Sequence, residues 1–170
     1  MAFTTSILLK TTSQQMLGCL IGILQKGAEH ANNTKIEESV FLGARLYPDM
    51  FPLSRQVQIA CDQLTRAAAR LQGADLPSFP DVETTFAQLI ERCNKANAYV
   101  QSADSAKIDA RTDTNITVPV GGGQEMTVTC ATFLMSFTLP NHYFHAATAY
   151  DILRHNGVVL GKRDFLRPPG

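Results

Sequence analysis

Four segments of this sequence repeat apolar residues at steps of three and four, the spacing that places side chains on one side of an α-helix. The first segment runs from about Ser6 to about Ala31, the second ends at Gly73, the third follows Pro80, and the fourth extends to Gly157. The side chains expected in a shared core are Leu20, Leu24, Val57, Leu64, Phe86, Ile90, Leu134 and Ile152. Helices of this kind bury their apolar sides against one another, so the pattern predicts a four-helix bundle.

A change of period before the fourth segment predicts a β-hairpin. Residues 116–120 and 126–129 place apolar side chains at every second position, and Gly121-Gly122-Gly123 separates the two runs. Alternating runs around a glycine turn are typical of a hairpin, and an edge strand tolerates Pro119. We therefore expect an all-α fold: a four-helix bundle with a short accessory hairpin, near Thr114 to Thr129, before the last helix.

The breaks between the helices contain recognisable end signals. Thr34 and Glu37 have the spacing of a capping box in front of a short helix. Asp81 is a suitable N-cap for the third long helix. Residues 104–111 are polar and predicted to be irregular, and the fourth helix is predicted to run unbroken from about Ala131.

Length and composition narrow the class of protein. A chain of 170 residues fits a single domain, here residues 1–170. Its 15 basic and 15 acidic side chains balance, which argues against a nucleic-acid partner because such a partner requires a basic face. The four cysteines lie far apart without a Cys-x-x-Cys pair, so we expect small buried hydrophobic side chains and no disulfide framework.

The sequence predicts no association with a membrane. The apolar run Leu17 to Leu24 covers about two helical turns, too few for a membrane span. Residues 1–10 lack the charged region and the long apolar stretch of a signal peptide. We therefore expect a cytoplasmic protein.

The fourth helix contains three of the four histidines and is the main candidate for chemistry. Asn141 and His145 lie one turn apart on the face that also contains Leu134 and Ile152. A buried imidazole next to a buried amide must be hydrogen-bonded or ligate something. His145 is therefore either a hydrogen-bonded structural residue or a ligand or acid–base group. His142 is rotated by about 300° from His145 and is predicted on the flank of the helix.

Other histidines and motifs give weaker signals. His30 and His155 lie near helix C-termini, where a cationic imidazole favours the last carbonyls, so a capping role is expected. The sequence contains no Glu-x-x-His, His-Glu-x-x-His or Gly-x-Ser-x-Gly motif, which disfavours a di-iron site and the common hydrolase sites.

The end of the chain resembles the DinB/YfiT-like superfamily. His145 followed by Leu153-Arg154-His155-Asn156-Gly157 is similar to the last helix of those proteins, in which a His-x-x-x-His pair precedes a Leu-Arg-x-Asn-Gly helix end. The chain resembles one branch of the superfamily without a settled activity over residues 44–57, 79–86, 118–123 and 139–166. The resemblance implies a four-helix bundle, usually a homodimer, related to metal-dependent transferases and isomerases that act with small thiols.

The chain departs from the metal site of that superfamily, which uses one histidine on the second long helix and the histidine pair on the fourth. Here the pair reads Asn141-x-x-x-His145, and the polar candidate on the second long helix is Gln56, with Gln58 nearer the opposite side. Neutral amides are weak ligands for zinc or nickel. We therefore predict a ligand pocket of Gln56, Asn141 and His145 without a cofactor. The alternative is a divalent metal held by His145 with Asn141 or His142.

Three functions stay open at this level. The first is a DinB-like bundle whose degenerate metal pocket binds a small molecule or nothing. The second is a residual metal- or thiol-dependent transferase or isomerase that uses His145 as a general base or sole imidazole ligand. The third is a non-catalytic dimeric structural or interaction protein. The first and third are favoured because no acid, nucleophile or third ligand can be named. A homodimer is expected, since the chain has few charges and its relatives pair.

Overall fold

The computed structural model describes residues 3–166 and consists mainly of long helices. In chain order the elements are α1 (Thr5–Thr34), α2 (Glu38–Leu42), α3 (Leu53–Gln72), α4 (Phe86–Ser102), α5 (Ser105–Ala110), β1 (Asn115–Gly121), β2 (Gln124–Thr129), α6 (Cys130–Phe133), a π-helical turn (Leu134–Thr138), α7 (Leu139–His155) and α8 (Lys162–Phe165). Because α6, the π turn and α7 follow one another without a gap, they form the fourth long helix. The predicted bundle with a hairpin before its last helix is confirmed.

The core lies between the four long helices, with α1 against α4 and α3 against both α4 and α7. Of the eight predicted core residues, seven are buried, and Ile90 is partly buried against the same core. The helices approach closely at Gly27, where an added Cβ would stand 2.9 Å from Cε1 of Phe86 and 3.1 Å from Cδ2 of Leu153. A glycine at this position therefore lets α1 pack tightly against α4 and α7.

The hairpin is an antiparallel pair in which Ile116 lies opposite Val128 and Val118 opposite Met126. Its register shifts between Pro119 and Gly121. Val118 is buried and joins the hydrophobic core, so the hairpin is attached to the bundle on one face.

The predicted capping box at residues 34–37 is wrong. Helix α1 continues through Thr34, whose hydroxyl donates to the His30 carbonyl at 2.7 Å. The helix ends at Lys35 in the left-handed conformation, and Glu37 precedes α2 without a side-chain cap. Thr34 is therefore part of α1, and its hydroxyl bonds to the preceding turn of that helix and does not cap α2.

Two further local predictions need correction. The N-cap of α4 is Thr85, which forms a capping box with Gln88, and Asp81 instead pairs with arginine side chains. Residues 104–111 are also not irregular, because Asp104 accepts a hydrogen bond from the Lys107 backbone and caps the short helix α5.

The longest helix, α1, has the length and hydropathy of a possible membrane span. Half of its most apolar 18-residue stretch is buried inside the bundle, where the helix packs against α4. In this fold α1 therefore serves as a core helix. All four cysteines are buried, as predicted. The assignment of residues 1–170 to a single domain stays a prediction, and residues 1–2 and 167–170 lie outside the described part.

Candidate functional site

Two of the three predicted pocket residues meet between α3 and α7. Gln56 is buried at the end of the first turn of α3, and His145 is partly buried on α7. Nδ1 of His145 lies 2.6 Å from Oε1 of Gln56. The Gln56 Nε2 group donates to the Phe51 carbonyl at 3.0 Å. This second bond orients the amide, since the reversed amide would place its oxygen against a carbonyl oxygen.

The orientation of Gln56 determines the tautomer of His145. An amide oxygen only accepts hydrogen bonds, so Nδ1 of His145 carries the proton and donates it. The other ring nitrogen, Nε2, is then an unprotonated acceptor in the neutral ring. Burial lowers the pKa of His145, and the charge of Arg55 lowers this pKa further. His145 therefore offers a neutral imidazole lone pair at physiological pH.

Asn141 takes a smaller part in this arrangement than the sequence predicted. Its side chain is partly buried and lies one turn before His145 on α7. Within residues 3–166 its amide makes no hydrogen bond to Gln56 or to His145. The direct polar contact between α3 and α7 at this point is therefore the Gln56–His145 pair, with Asn141 next to it.

The fully buried histidine of α7 is His142, so its predicted place on the flank of the helix is wrong. Its Nδ1–H donates to the Ala60 carbonyl of α3 at 2.9 Å, and burial lowers its pKa to about 4. The physical reason is the π turn of residues 134–138. A π turn winds more slowly than an α-turn, so every later side chain is rotated from the position expected for an unbroken α-helix. This rotation brings His142 into the core and moves His145 towards the edge.

Aromatic and cationic side chains lie in the neighbourhood of His145. Phe144 contacts the His145 ring edge to face at a centroid distance of 5.2 Å, and Phe51 lies near the Arg55 guanidinium at 6.0 Å. Phe51, Tyr143 and Phe144 are exposed large apolar side chains. We call Phe51, Arg55 and Phe144 the rim of the site. The rim can contact apolar groups through its rings, and Arg55, which also pairs with Asp81, adds a positive charge beside them.

The donor groups at this site do not fit the three-histidine metal centre of the superfamily. Both the oxygen and the nitrogen of the Gln56 amide are already hydrogen-bonded. Nδ1 of His142 is bonded to a backbone carbonyl. One accessible imidazole nitrogen and the Asn141 amide are left, whereas a catalytic zinc has three protein ligands. In the described part of the chain, no group of three His, Cys, Asp or Glu side chains could hold a metal ion.

The other two histidines lie elsewhere. His155 is exposed in the last turn of α7, where the sequence placed it. His30 lies a turn before the end of α1 and packs edge to face on Phe41 at 5.6 Å. His30 therefore makes an aromatic contact in place of the predicted capping role.

A buried ionic cluster, which the sequence did not predict, holds the linker before α4. Arg92 is buried on α4 and lies 2.7 Å from a carboxylate oxygen of Asp62 on α3. It also lies 2.9 Å from Glu83 and 3.0 Å from Asp81. Burial opposes the charge of Glu83, but the hydrogen bond from Arg92 helps to keep the Glu83 pKa below its usual value. We call Asp62, Asp81, Glu83 and Arg92 the Arg92 cluster.

The linker also explains why Gln58 is buried, although the sequence placed it nearer the side of α3 opposite the apolar stripe. Gln58 Nε2 donates to Glu83 at 2.9 Å, so residues 77–85 cover it. The one available signal for the cluster was an arginine placed directly before Cys93 in the apolar stripe of α4. Phe79, Val82 and Arg92 line a cavity of about 400 Å³ beside this linker.

Comparison with known proteins places the whole bundle in a recognised group. The family model described as Domain of unknown function (DUF1993) matches residues 8–166. The crystal structure of a DinB family member protein from Shewanella denitrificans is similar with a TM-score of 0.85 and 38% sequence identity. The match covers 95% of this chain and 90% of that chain. None of the curated proteins matches this chain.

Proposed function

This chain belongs to the DinB-like family described as Domain of unknown function (DUF1993), and on that premise we propose that its Gln56–His145 pair forms a small-molecule site that works without a resident transition metal. The observation that carries the proposal is the 2.6 Å hydrogen bond from His145 to Gln56. This bond occupies the amide oxygen and one ring nitrogen, and it leaves the other ring nitrogen for a ligand.

The chemistry of the site defines the ligand class. Nε2 of His145 accepts a hydrogen bond, so the ligand has an O–H, N–H or S–H donor. Phe51 and Phe144 offer ring faces for an apolar body, and Arg55 tolerates a negative charge near the entrance. We infer a small, largely apolar molecule with one hydrogen-bond donor.

A residual enzyme is the second candidate, and the fixed tautomer of His145 favours it. An unprotonated Nε2 with a partner behind the ring has the arrangement of a general base. In such an enzyme His145 would accept a proton at Nε2, and Gln56 would position the ring. This is the alternative of a transferase or isomerase related to the metal- and thiol-dependent members of the superfamily.

We also propose that the protein is a cytoplasmic homodimer. Large apolar side chains are exposed in the segment before α3 and on α7, including Tyr47, Phe51, Tyr143 and Phe144. Exposed apolar surface of this kind often marks a site of association. Light scattering at micromolar concentration is expected to give twice the 18.6 kDa chain mass, and a monomer mass would contradict the proposal.

Binding is tested with small aromatic alcohols, each compared with its methyl ether, which lacks the donor. For the untagged protein and for His155→Ala, the alcohols are expected to raise the melting temperature more than the ethers, because a ligand of the folded state stabilises it. For His145→Ala this difference is expected to disappear. If the difference between alcohol and ether were the same in all three proteins, a role for His145 would be refuted.

Metal content is measured on the same untagged preparations. The proposal predicts that neither zinc nor nickel is retained in stoichiometric amount through dialysis. Stoichiometric metal that is lost in His145→Ala but kept in His155→Ala would overturn the proposal and favour a metal-dependent enzyme.

A further inference from the structure

Two fully buried polar atoms on the fourth long helix have no hydrogen-bond partner in the described part of the chain. They are Oγ1 of Thr138 and Nε2 of His142, which lie one helical turn apart. An unpaired polar group in a protein interior costs free energy. Residues four apart on a helix are neighbours on its surface, so one small molecule can bond both atoms.

The π turn explains why the Thr138 hydroxyl is available. Threonines inside helices commonly donate to the carbonyl four residues earlier, as Thr148 does to Phe144 at 2.8 Å. The corresponding carbonyl for Thr138 is that of Leu134, which accepts the backbone N–H of Leu139 across the π turn. The wider turn moves this carbonyl away from the usual position, so the Thr138 hydroxyl stays unpaired.

The hydrogen bond of His142 to α3 determines what its unpaired nitrogen can bind. Its Nδ1–H donates to the Ala60 carbonyl, so Nε2 has no proton and can only accept. Long side chains on a helix lean towards its N-terminus and cover the preceding turn. The His142 ring therefore lies over the turn that contains Thr138, although the two polar atoms do not bond each other directly.

We propose that Thr138 and His142 enclose a binding site for one water molecule between α7 and α3. The water donates one hydrogen bond to Nε2 of His142. It forms a second hydrogen bond with the Thr138 hydroxyl, which can either donate or accept. A transition-metal ion does not fit, because one imidazole nitrogen and one hydroxyl are fewer than the three or four protein ligands that such an ion takes. An anion does not fit, because the ring nitrogen has no proton to donate. The site is separate from the proposed Gln56–His145 site and does not depend on it.

The test compares Thr138→Val with Thr148→Val, a matched change on the same helix. Valine keeps the shape of threonine and removes the hydroxyl. If the hydroxyl binds a water, Thr138→Val is expected to lower the melting temperature more than Thr148→Val. It is also expected to change the ¹⁵N shift of His142 Nε2, which Thr148→Val leaves unchanged. If the hydroxyl has no partner, Thr138→Val raises the melting temperature and leaves the shift unchanged, and the proposal is wrong.

A crystal structure of the unmodified protein gives the deciding observation. Density for a water within hydrogen-bond distance of both Oγ1 of Thr138 and Nε2 of His142 would establish the site. Its absence from a well-ordered core would overturn the proposal, whatever the stability of the two variants.

Discussion

Replacing Arg92 with methionine should destabilise the bundle strongly, although the new side chain is apolar and the position is buried. The change leaves Asp62 and Glu83 without their shared partner, and these side chains are only 12% and 10% exposed. Removing one partner of a buried ionic pair costs about 3–5 kcal/mol, because the remaining charge stays desolvated. For a protein of this size that loss corresponds to a melting temperature lower by roughly 6–20 °C.

Urea unfolding of Arg92→Met and Lys95→Met measures this difference at equal protein concentration. Lys95 lies on the same helix, is 62% exposed and pairs with the exposed Glu91. Exposed pairs contribute about 0–1 kcal/mol, so this control should change the free energy of unfolding little. Adding Asp62→Leu to Arg92→Met should recover part of the loss, since it removes a mostly buried carboxylate whose remaining partner, Arg66 at 3.2 Å, is an exposed side chain.

Two results would refute the reasoning about the Arg92 cluster. One is an Arg92→Met variant whose free energy of unfolding lies within about 0.5 kcal/mol of that of Lys95→Met, the range of ordinary surface substitutions. The other is a further loss of stability on adding Asp62→Leu. That result would mean that the Asp62 carboxylate is stabilised by groups other than Arg92.

Three further predictions concern α3, α7 and the closest helix contact. Gln56→Leu removes the acceptor for Nδ1–H of His145, so we expect a loss of about 1–3 kcal/mol and a mixture of ring tautomers by NMR; a single unchanged tautomer would contradict the role of Gln56. Burial lowers the pKa of His142 to about 4, below its ordinary 6.5. The unfolded chain therefore binds more protons between these values, and stability is expected to be complete above pH 6.5 and to fall by on the order of 3 kcal/mol as the pH drops towards 4; urea unfolding of His142→Gln should show a smaller fall over this window, and an equal fall would assign it to other groups. Gly27→Ala forces a Cβ against Phe86 at 2.9 Å, so calorimetry should show a loss of about 1–3 kcal/mol, and an unchanged or higher stability would mean that the ring can move.

The helices and the hairpin were predictable because their signals are local. A stripe of apolar residues at helical spacing needs only a partner surface, and any partner in the bundle satisfies it. Leu64 and Phe86 are therefore buried as predicted, and the alternation around residues 121–123 forms the predicted hairpin. Gln56 could also be named in advance, because it lies on the side of α3 near the apolar stripe.

The π turn and the Arg92 cluster were not predictable in the same way. Whether residues 134–138 close i→i+4 or i→i+5 bonds depends on how the following helix packs, and no residue type marks the choice. The cluster joins Asp62, Asp81 and Arg92 from three separate segments, so its geometry exists only after the bundle has formed. The Asp81 side chain is of a type that often caps helices, but in the folded chain it pairs with Arg55 and Arg92 instead.

His142 and His145 lie three residues apart on α7 but have different surroundings because of the π turn. It rotates His142 towards the α3 backbone, where the Ala60 carbonyl holds the ring neutral and enclosed. The same rotation leaves His145 at the edge, held by Gln56 and open to the rim. Two imidazoles that faced one cavity could share a metal ion, whereas these two bind different partners on α3. The helical register therefore separates the two imidazoles, and amides occupy positions 56 and 141.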